Sequence, residues 1–543
     1  MQTKEPKSNQ MLALAVYLYL GIPVIIFICG WCCWYIAVPI IIISLIALIK
    51  AVKEHDRDVM GFTKLSNNEI VKIIFIIVII ILWVIMSGIG ECVWQNSDHA
   101  TRNALFKTLE TESWPIFGIV DIDGTQQSIV LSYYLGFWLP AALIGKIFGM
   151  EAGRVALIIW AVLGIMLFYS LISVWQKRVL VWPLILFIFF SGLDVLRISL
   201  IQNETVKIFG VDCLEWWSTD CNFQFSSMTT QLFWVFNQAI PAWIASVYIF
   251  LYEKPRNMIF TLSLLIITAT FPMAGLIPFC IYFMIKRGSW EKDYRTVTEV
   301  AKSVRTNWIS WQNLFAGGSI GIIGLLYICT NQAVQDTLQS LPQLSVITAL
   351  IILGMIIVGT YGIVKLTLKG KGKWIVGCII VGGVILFIEL VIKYPFEEWQ
   401  SPAFGWADMT IFYILEAGLF LICIYDSVSS KGLLWINAIT LYVIPLIRIG
   451  HNADFCMRAS IPGLVLLSLW CIDAIRQKKK DIKIYALILL LIISAVTPIH
   501  EIKRVYSYTK IPYEILCIPK ENLLLSFNYK GDVDSFFVRY IAK

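Results

Sequence analysis

Residues 70–89 read IVKIIFIIVIIILWVIMSGI, and residues 94–105, which follow almost at once, read WQNSDHATRNAL. The first run matches the length of helix, about 20 residues, that the hydrocarbon core of a bilayer requires. The second run carries an aspartate, a histidine, an arginine and two asparagines. Together they predict a membrane-spanning helix that delivers a cluster of ionisable groups to one face of the membrane.

The remainder of the chain has the same apolar character. Of its 543 residues, 58% are hydrophobic and 15% are charged, whereas soluble domains carry about 25% charged residues. The mean hydropathy is +0.77, and several runs reach the length of a span. We therefore expect an all-α polytopic membrane protein in which roughly 13 to 15 transmembrane helices form one bundle over residues 1–498.

Lysine and arginine are concentrated in short loops between apolar runs, for example in residues 50–68, 369–373 and 476–480. Cytoplasmic loops are enriched in these residues, so the pattern predicts a protein of the cell membrane with its N-terminus in the cytoplasm and its C-terminus outside. The net charge of +7 has the same explanation, and no nucleic-acid partner is expected. Residues 499–543, rich in tyrosine and phenylalanine, are expected to form a small extracytoplasmic cap.

Three segments predicted to lie outside hold most of the polar residues: residues 90–154, 191–230 and 448–459. Within the first of them, residues 128–148 are apolar and rich in aromatic side chains. This piece could either cross the membrane or lie along its outer surface as an amphipathic helix. We favour the surface position because it leaves Lys177 and Arg178 on the cytoplasmic side.

In the first segment, Asp98 is a candidate general base. With His99 it could also contribute to a divalent-metal site, although two ligands are too few to define one. The structural alternative is that Asp98 caps a helix that begins at His99 and pairs with Arg102 four residues later. Capping does not exclude catalysis, so both roles stay open.

The second segment combines acidic residues with tryptophan. Asp194, Glu215, Trp216 and Trp217 would suit a sugar site, in which aromatic faces stack on the rings and carboxylates bind the hydroxyls. The alternative for the two tryptophans is the aromatic belt found at membrane interfaces. Gln238, in the following span, is less easily explained in that way, because a buried amide needs partners and often lines a cavity.

The third segment contains Arg448, His451, Asp454 and Arg458. A guanidinium fork at the membrane boundary suits a phosphate or pyrophosphate. The alternative is that Arg458 merely pairs with Asp454 and ties the loop together. The chain has no Walker A, GxSxG or HExxH motif, so chemistry driven directly by ATP is not indicated.

This arrangement resembles the bacterial integral-membrane glycosyltransferases of the GT-C superfamily. In that family a span leads to an outside loop with a key acidic residue, a horizontal amphipathic segment and a K-x-x-G-x-x-x-x-R connection. The matching features here are Asp98, residues 128–148 and the sequence from Lys146 to Arg154. The chain also resembles a branch of bacterial multispan proteins with E-W-W, F-Q-F-S-S and D-F-x-M-R-x-S-I-P stretches, found here at residues 215–217, 223–227 and 454–462.

The resemblance implies a GT-C-like bundle and an enzyme that transfers a hexosyl group from a polyprenyl-phosphate donor to a cell-envelope glycan, lipid or protein. It implies that Asp98 deprotonates the acceptor hydroxyl. It also implies that Arg458 holds the lipid phosphate, with Arg448 and His451 as weaker candidates. The sugar or acceptor pocket would be lined by Glu215, Trp216, Trp217, Gln238 and Asp194.

Three other functions remain open from the sequence. These are a transporter or flippase for a lipid-linked saccharide, a glycan polymerase or ligase, and a non-catalytic membrane protein. A transporter would need polar residues deep in several spans, and the candidates are Asn237, Gln238, Glu389 and Glu416. The transporter and the polymerase differ from the transferase in whether polar groups cluster at the midplane of the membrane or at its outer face. They also differ in whether Asp98 faces Arg458.

Overall fold

The computed structural model is mostly helical, as predicted, with 74% helix and 5% strand. Its helical elements carry the apolar runs, and its strands lie in the polar segments. The structure describes residues 10–55, 66–122, 124–201, 213–217, 223–287, 302, 305–340, 406–447, 449, 453–477, 481–526 and 528–543.

The helices and strands follow the chain in an order that alternates long apolar helices with short connecting elements. The first half contains α1 (Gln10–Trp31), α2 (Trp34–Lys53), α3 (Asn67–Met86), α4 (His99–Thr111), β1 (Phe117–Ile122), β2 (Thr125–Leu131), α5 (Leu139–Phe148), α6 (Met150–Gln176), α7 (Val181–Ile188), α8 (Asp194–Ile201), α9 (Met228–Leu251), α10 (Met258–Ser263) and α11 (Thr270–Arg287).

The second half continues with α12 (Gly318–Ile328), α13 (Gln332–Ser340), α14 (Trp406–Tyr413), α15 (Leu419–Ile424), α16 (Lys431–Val443), α17 (Asp454–Ala459), α18 (Ile461–Arg476), α19 (Ile482–Ser494), α20 (Val496–Thr509), α21 (Lys520–Leu525), β3 (Lys530–Asp532) and α22 (Phe536–Tyr540).

Eight helices among the described residues are long and apolar enough to cross a membrane. Most leave one face uncovered by protein: in α3, for example, Val71, Ile74 and Phe75 are exposed. Lipid can cover such a face, whereas water would penalise it. The fold is therefore that of a multi-pass membrane protein. The eight are Gln10–Trp31, Trp34–Lys53, Asn67–Met86, Met150–Gln176, Met228–Leu251, Asp408–Ser427, Asp454–Arg476 and Ile482–Thr509.

Helix α9 lies at the centre of the bundle. It is buried along nearly its whole length, and so is the span Asp454–Arg476, which packs against it. The hydroxyl of Ser227 caps α9 by accepting the N–H of Thr230 at 3.0 Å. The helix is kinked at Val235, whose backbone (φ −140°, ψ 36°) is not helical. The kink makes main-chain groups of a central helix accessible to neighbouring side chains.

A small antiparallel sheet joins two distant parts of the chain. Strands β1 and β2 form a hairpin, and β3 from the C-terminal tail pairs with β2 so that Val130 faces Gly531. The segment 128–148 is therefore not a continuous amphipathic helix, because its first residues complete β2 before α5 begins. The tail ends against the α1–α2 turn, where the N–H of Cys33 donates to the carbonyl of Ile541 at 2.8 Å.

Candidate functional site

The polar stretch before α4 is fastened to the kink in α9. The amide of Asn96 and the Nε2 atom of His99 both contact the carbonyl oxygen of Phe233, at 2.9 and 3.3 Å. The amide of Gln95 lies 3.2 Å from Nδ1 of His99. Burial, together with the positive charge of Arg102, lowers the pKa of His99 to about 3. The ring is thus neutral, with Nε2 donating and Nδ1 accepting.

Both nitrogens of His99 are used within the protein, so this ring is not poised to bind a metal with Asp98. Across the described residues, no group of three histidine, cysteine, aspartate or glutamate side chains is arranged to hold an ion. The role of His99 in this structure is to tie α4 to the kinked part of α9.

Asp98 stands at the position that precedes α4, but its carboxylate accepts no helix N–H. It accepts instead from the guanidinium of Arg102 at 2.9 Å, as the i+4 alternative predicted. The Asp98 side chain is 45% exposed and that of Arg102 only 5%. Among the described residues, the Nη1 atom of Arg102 has no hydrogen-bond partner although it is buried. A donor therefore remains unused beside the candidate base.

Arg458 repeats this arrangement on helix α17. It pairs with Asp454 one turn earlier, as the structural alternative predicted, and its side chain is 8% exposed. Its Nε atom is buried and has no hydrogen-bond partner in the part of the chain that the structure describes. Arg448 and His451, the weaker candidates, lie outside the described residues.

The charges of the two arginines act on the same tyrosine, Tyr133. Burial raises the pKa of Tyr133, and the charges of Arg458 and Arg102 both oppose that rise, so both guanidinium groups act on one phenol. The ring of Tyr133 stacks on Tyr529 with a centroid distance of 4.1 Å. Residues of α4 and α17 thus act on a tyrosine that stacks on the C-terminal tail.

A narrow cleft opens beside Arg102. It is lined by Gly88, Glu91, Asn103 and Arg154 among others, and Arg154 donates to Glu91 at 3.0 Å. Its cavity volume is about 10 Å³, which is room for about one water molecule. In this conformation the cleft is closed to a sugar, so binding of a substrate would require the surrounding helices to separate.

Glu215 lies in a different place, at the N-terminus of α9. Its carboxylate accepts from the backbone N–H of Ser227 at 2.9 Å, from the hydroxyl of Thr230 at 2.6 Å and from the amide of Gln224 at 3.1 Å. An anion is favoured at a helix N-terminus, although burial raises the pKa of this carboxyl to about 8. The geometry makes Glu215 an anchor of the central helix.

Asp194 and Trp217 form a third polar group with each other. The indole Nε1 of Trp217 donates to Asp194 at 3.3 Å. Trp216 is 41% exposed and does not join them. Gln238 is fully buried within α9, and neither of its amide atoms has a partner among the described residues. Of the predicted sugar-pocket residues, Asp194, Trp217 and Glu215 interact with one another, whereas Trp216 and Gln238 lie in other surroundings.

Arg102 is the residue that the sequence analysis did not single out as functional. Its spacing from Asp98 predicted an ion pair, but only the tertiary structure shows that its charge and that of Arg458 act on the same residue, Tyr133. Comparisons with protein-family models, with curated proteins and with solved structures find no match. The functional interpretation consequently depends on the geometry of the chain itself.

Proposed function

We propose that the protein is a GT-C-like membrane glycosyltransferase that binds a polyprenyl-phosphate-linked sugar between α4 and α17. It transfers the sugar to a cell-envelope glycan, lipid or protein at the extracytoplasmic face. One observation supports this above others. Arg102 and Arg458 are buried, each is paired with one aspartate, and each retains an N–H without a partner among the described residues. The charges of both act on Tyr133.

A phosphate is a suitable occupant for this position. A buried N–H without an acceptor costs roughly 1–3 kcal/mol, and more on a charged group. Phosphate oxygens would satisfy donors from both guanidinium groups at once, because the planar fork of arginine matches the geometry of an oxyanion. The aspartates hold the two side chains in place by one edge and leave the other edge for the ligand.

The proposed reaction uses Asp98 as the base. Its half-exposed carboxylate would take the proton of the acceptor hydroxyl while the acceptor oxygen attacks the anomeric carbon. The bond from that carbon to the phosphate oxygen breaks, and the lipid phosphate leaves with the bonding electrons while Arg102 and Arg458 stabilise its charge. Since the lipid phosphate is the leaving group, no nucleotide-binding domain is required.

The phosphate site can be tested by thermal unfolding of the detergent-solubilised protein with a short-chain polyprenyl phosphate. The ligand should raise the unfolding temperature of the wild type and of the control Arg539→Gln, whose side chain is exposed and pairs with Asp534. The shift should be lost in Arg102→Gln and Arg458→Gln. An undiminished shift in both of these variants would contradict the proposed site.

The chemical role of Asp98 needs a separate assay of sugar transfer from a polyprenyl-phosphate donor. Asp98→Asn should keep the ligand-induced shift in unfolding temperature but lose transfer by about 100-fold or more, the usual contribution of a general base. If Asp98→Asn transfers sugar at the wild-type rate, then Asp98 is not the base.

A second function, transport of a lipid-linked saccharide, is favoured by a different observation. Gln238 and Asn437 are wholly buried in apolar helices, and their amide groups lack partners among the described residues. Polar groups of this kind often line a transport path. A proteoliposome assay that scores movement of the labelled lipid across the bilayer separately from sugar transfer would distinguish the two functions.

A further inference from the structure

A second buried site is built from other residues, where the span Asp408–Ser427 meets α8. Glu416 stands in a π-helical turn, Ile414–Gly418, within that span. It is 1% exposed, and its carboxyl is packed so closely on Gly192 that a Cβ there would lie 1.7 Å from Oε2. Single π-helical turns occur frequently at functional sites.

Neither oxygen of Glu416 receives an N–H or hydroxyl hydrogen bond from any described residue. The side chains within reach of its carboxyl are the carboxylate of Asp194 and the indole of Trp217, which donates its N–H to Asp194. Two ionised carboxylates can only accept hydrogen bonds. Side by side in a buried place they repel each other strongly. The contact therefore requires a positive charge between the two groups.

The surroundings of Asp194 indicate which of the two carboxyls is ionised. Its Oδ2 atom accepts from the hydroxyls of Ser191 and Thr497, both at 3.1 Å, and Oδ1 accepts from the indole of Trp217 at 3.3 Å. Three donors favour the charged form of a carboxyl. One lone-pair position on Oδ1 then remains for a fourth donor.

The charges around the pair are nearly balanced when one proton is present. Arg197 acts on both carboxyls, and its guanidinium lies 5.8 Å from the ring of Trp217. With Asp194 ionised and Glu416 neutral, this group of three carries no net charge. The other titratable side chains that face it are Glu215 and the thiols of Cys213 and Cys456.

We propose that Asp194 and Glu416 form a proton-binding site inside the helical bundle, in which Glu416 carries the proton and donates it to Asp194. Binding is the simple protonation of the Glu416 carboxylate, and release leaves two adjacent negative charges beside Arg197. The site joins α8, the segment that holds Trp217, the span with Glu416 and helix α20 with Thr497. This site shares no residue with the proposed phosphate site, and the proposal does not rest on that site.

The site predicts a protonated carboxyl group that infrared spectroscopy can detect. The full-length protein in lipid nanodiscs should show a carboxylic-acid C=O band at neutral pH that shifts on exchange into D₂O. Glu416→Gln should remove one component of that absorption, because the amide donates to Asp194 without a titrating proton. The carboxyl of Glu215, whose pKa burial raises to about 8, should keep its own contribution. The matched control Asp426→Asn, at an exposed carboxylate paired with Lys483, should leave the whole absorption unchanged.

Several results would overturn the proposal. One is a carboxylic-acid region that is identical in the wild type and in Glu416→Gln at every pH. Another is a band that appears only when sodium is replaced by choline, which would make the bound species a sodium ion. Should Glu416→Gln fail to fold, Asp194→Asn serves instead: it should shift the frequency of the Glu416 band, and an unchanged frequency would refute the contact.

Discussion

Buried polar groups surround both ends of helix α9, and the two ends differ in whether the charged side chains there have hydrogen-bond partners. At its C-terminal end, Arg287 donates to the carbonyls of Ile249, Phe250 and Glu253 at 2.8, 2.6 and 2.7 Å. The Glu253 carboxylate accepts from Tyr17, Thr261 and the N–H of Lys254. At the α4 end, Arg102 and Arg458 each retain an N–H without a partner among the described residues.

The difference separates a structural role from a functional one. A cation at a helix C-terminus satisfies the last carbonyls and interacts favourably with the helix dipole, so Arg287 and its neighbours stabilise the bundle without a ligand. An unpartnered buried donor costs free energy unless something else supplies an acceptor. We infer that the α4 end, where such donors come together, is the end that binds a substrate.

The largest effect on stability should come from Arg287→Met. The change leaves three main-chain carbonyls without their charged donor, and the free energy of unfolding should fall by roughly 3 kcal/mol or more. Thermal unfolding of the solubilised protein measures this, with the exposed Lys483→Met as a control that should change little. The shift produced by polyprenyl phosphate should persist; its loss in Arg287→Met would break the distinction between the two ends.

A somewhat smaller loss of stability is expected when the pH is lowered, because of His99 at the other end of α9. The pKa of His99 is about 3 in the folded protein and 6.5 as its ordinary value, so the unfolded chain binds more protons between these values. The contribution of His99 to stability is fully present above pH 6.5 and is lost as the pH falls toward 3. At pH 5 the loss should be roughly 2 kcal/mol.

The measurement is the unfolding temperature as a function of pH for the wild type, His99→Gln and His500→Gln. The variant without His99 should lose this part of the acid sensitivity because glutamine does not titrate, and the His500 variant should keep it. Equal acid sensitivity in all three proteins would mean that His99 is not held neutral against α9.

The smallest effect is expected for Tyr133→Phe. The substitution keeps the ring that stacks on Tyr529 and removes one phenol hydroxyl, so the unfolding free energy should fall by about 1 kcal/mol. Affinity for polyprenyl phosphate, measured by the same thermal shift, should weaken more than in the control Tyr134→Phe. Identical affinities would remove Tyr133 from the site while leaving the two arginines in it.

Local features of this protein were predictable from the sequence. Residues 70–89 predicted the helix that α3 forms. The pairs of Asp98 with Arg102 and of Asp454 with Arg458 also followed from spacing, because residues four apart share one face of a helix. The capping role of the Asp98 side chain did not follow, since its carboxylate pairs with Arg102 instead.

Contacts between segments that are distant in the sequence could be found only from the tertiary structure. The chain alone determined a multi-pass helical membrane protein, because hydropathy and i+4 spacing are properties of short windows. Packing decided that β3 completes a sheet with β1 and β2, that the charges of Arg102 and Arg458 both act on Tyr133, and that Glu416 faces Asp194. Apolar helices can pack in many pairings, and which polar groups become neighbours depends on the arrangement of all of them.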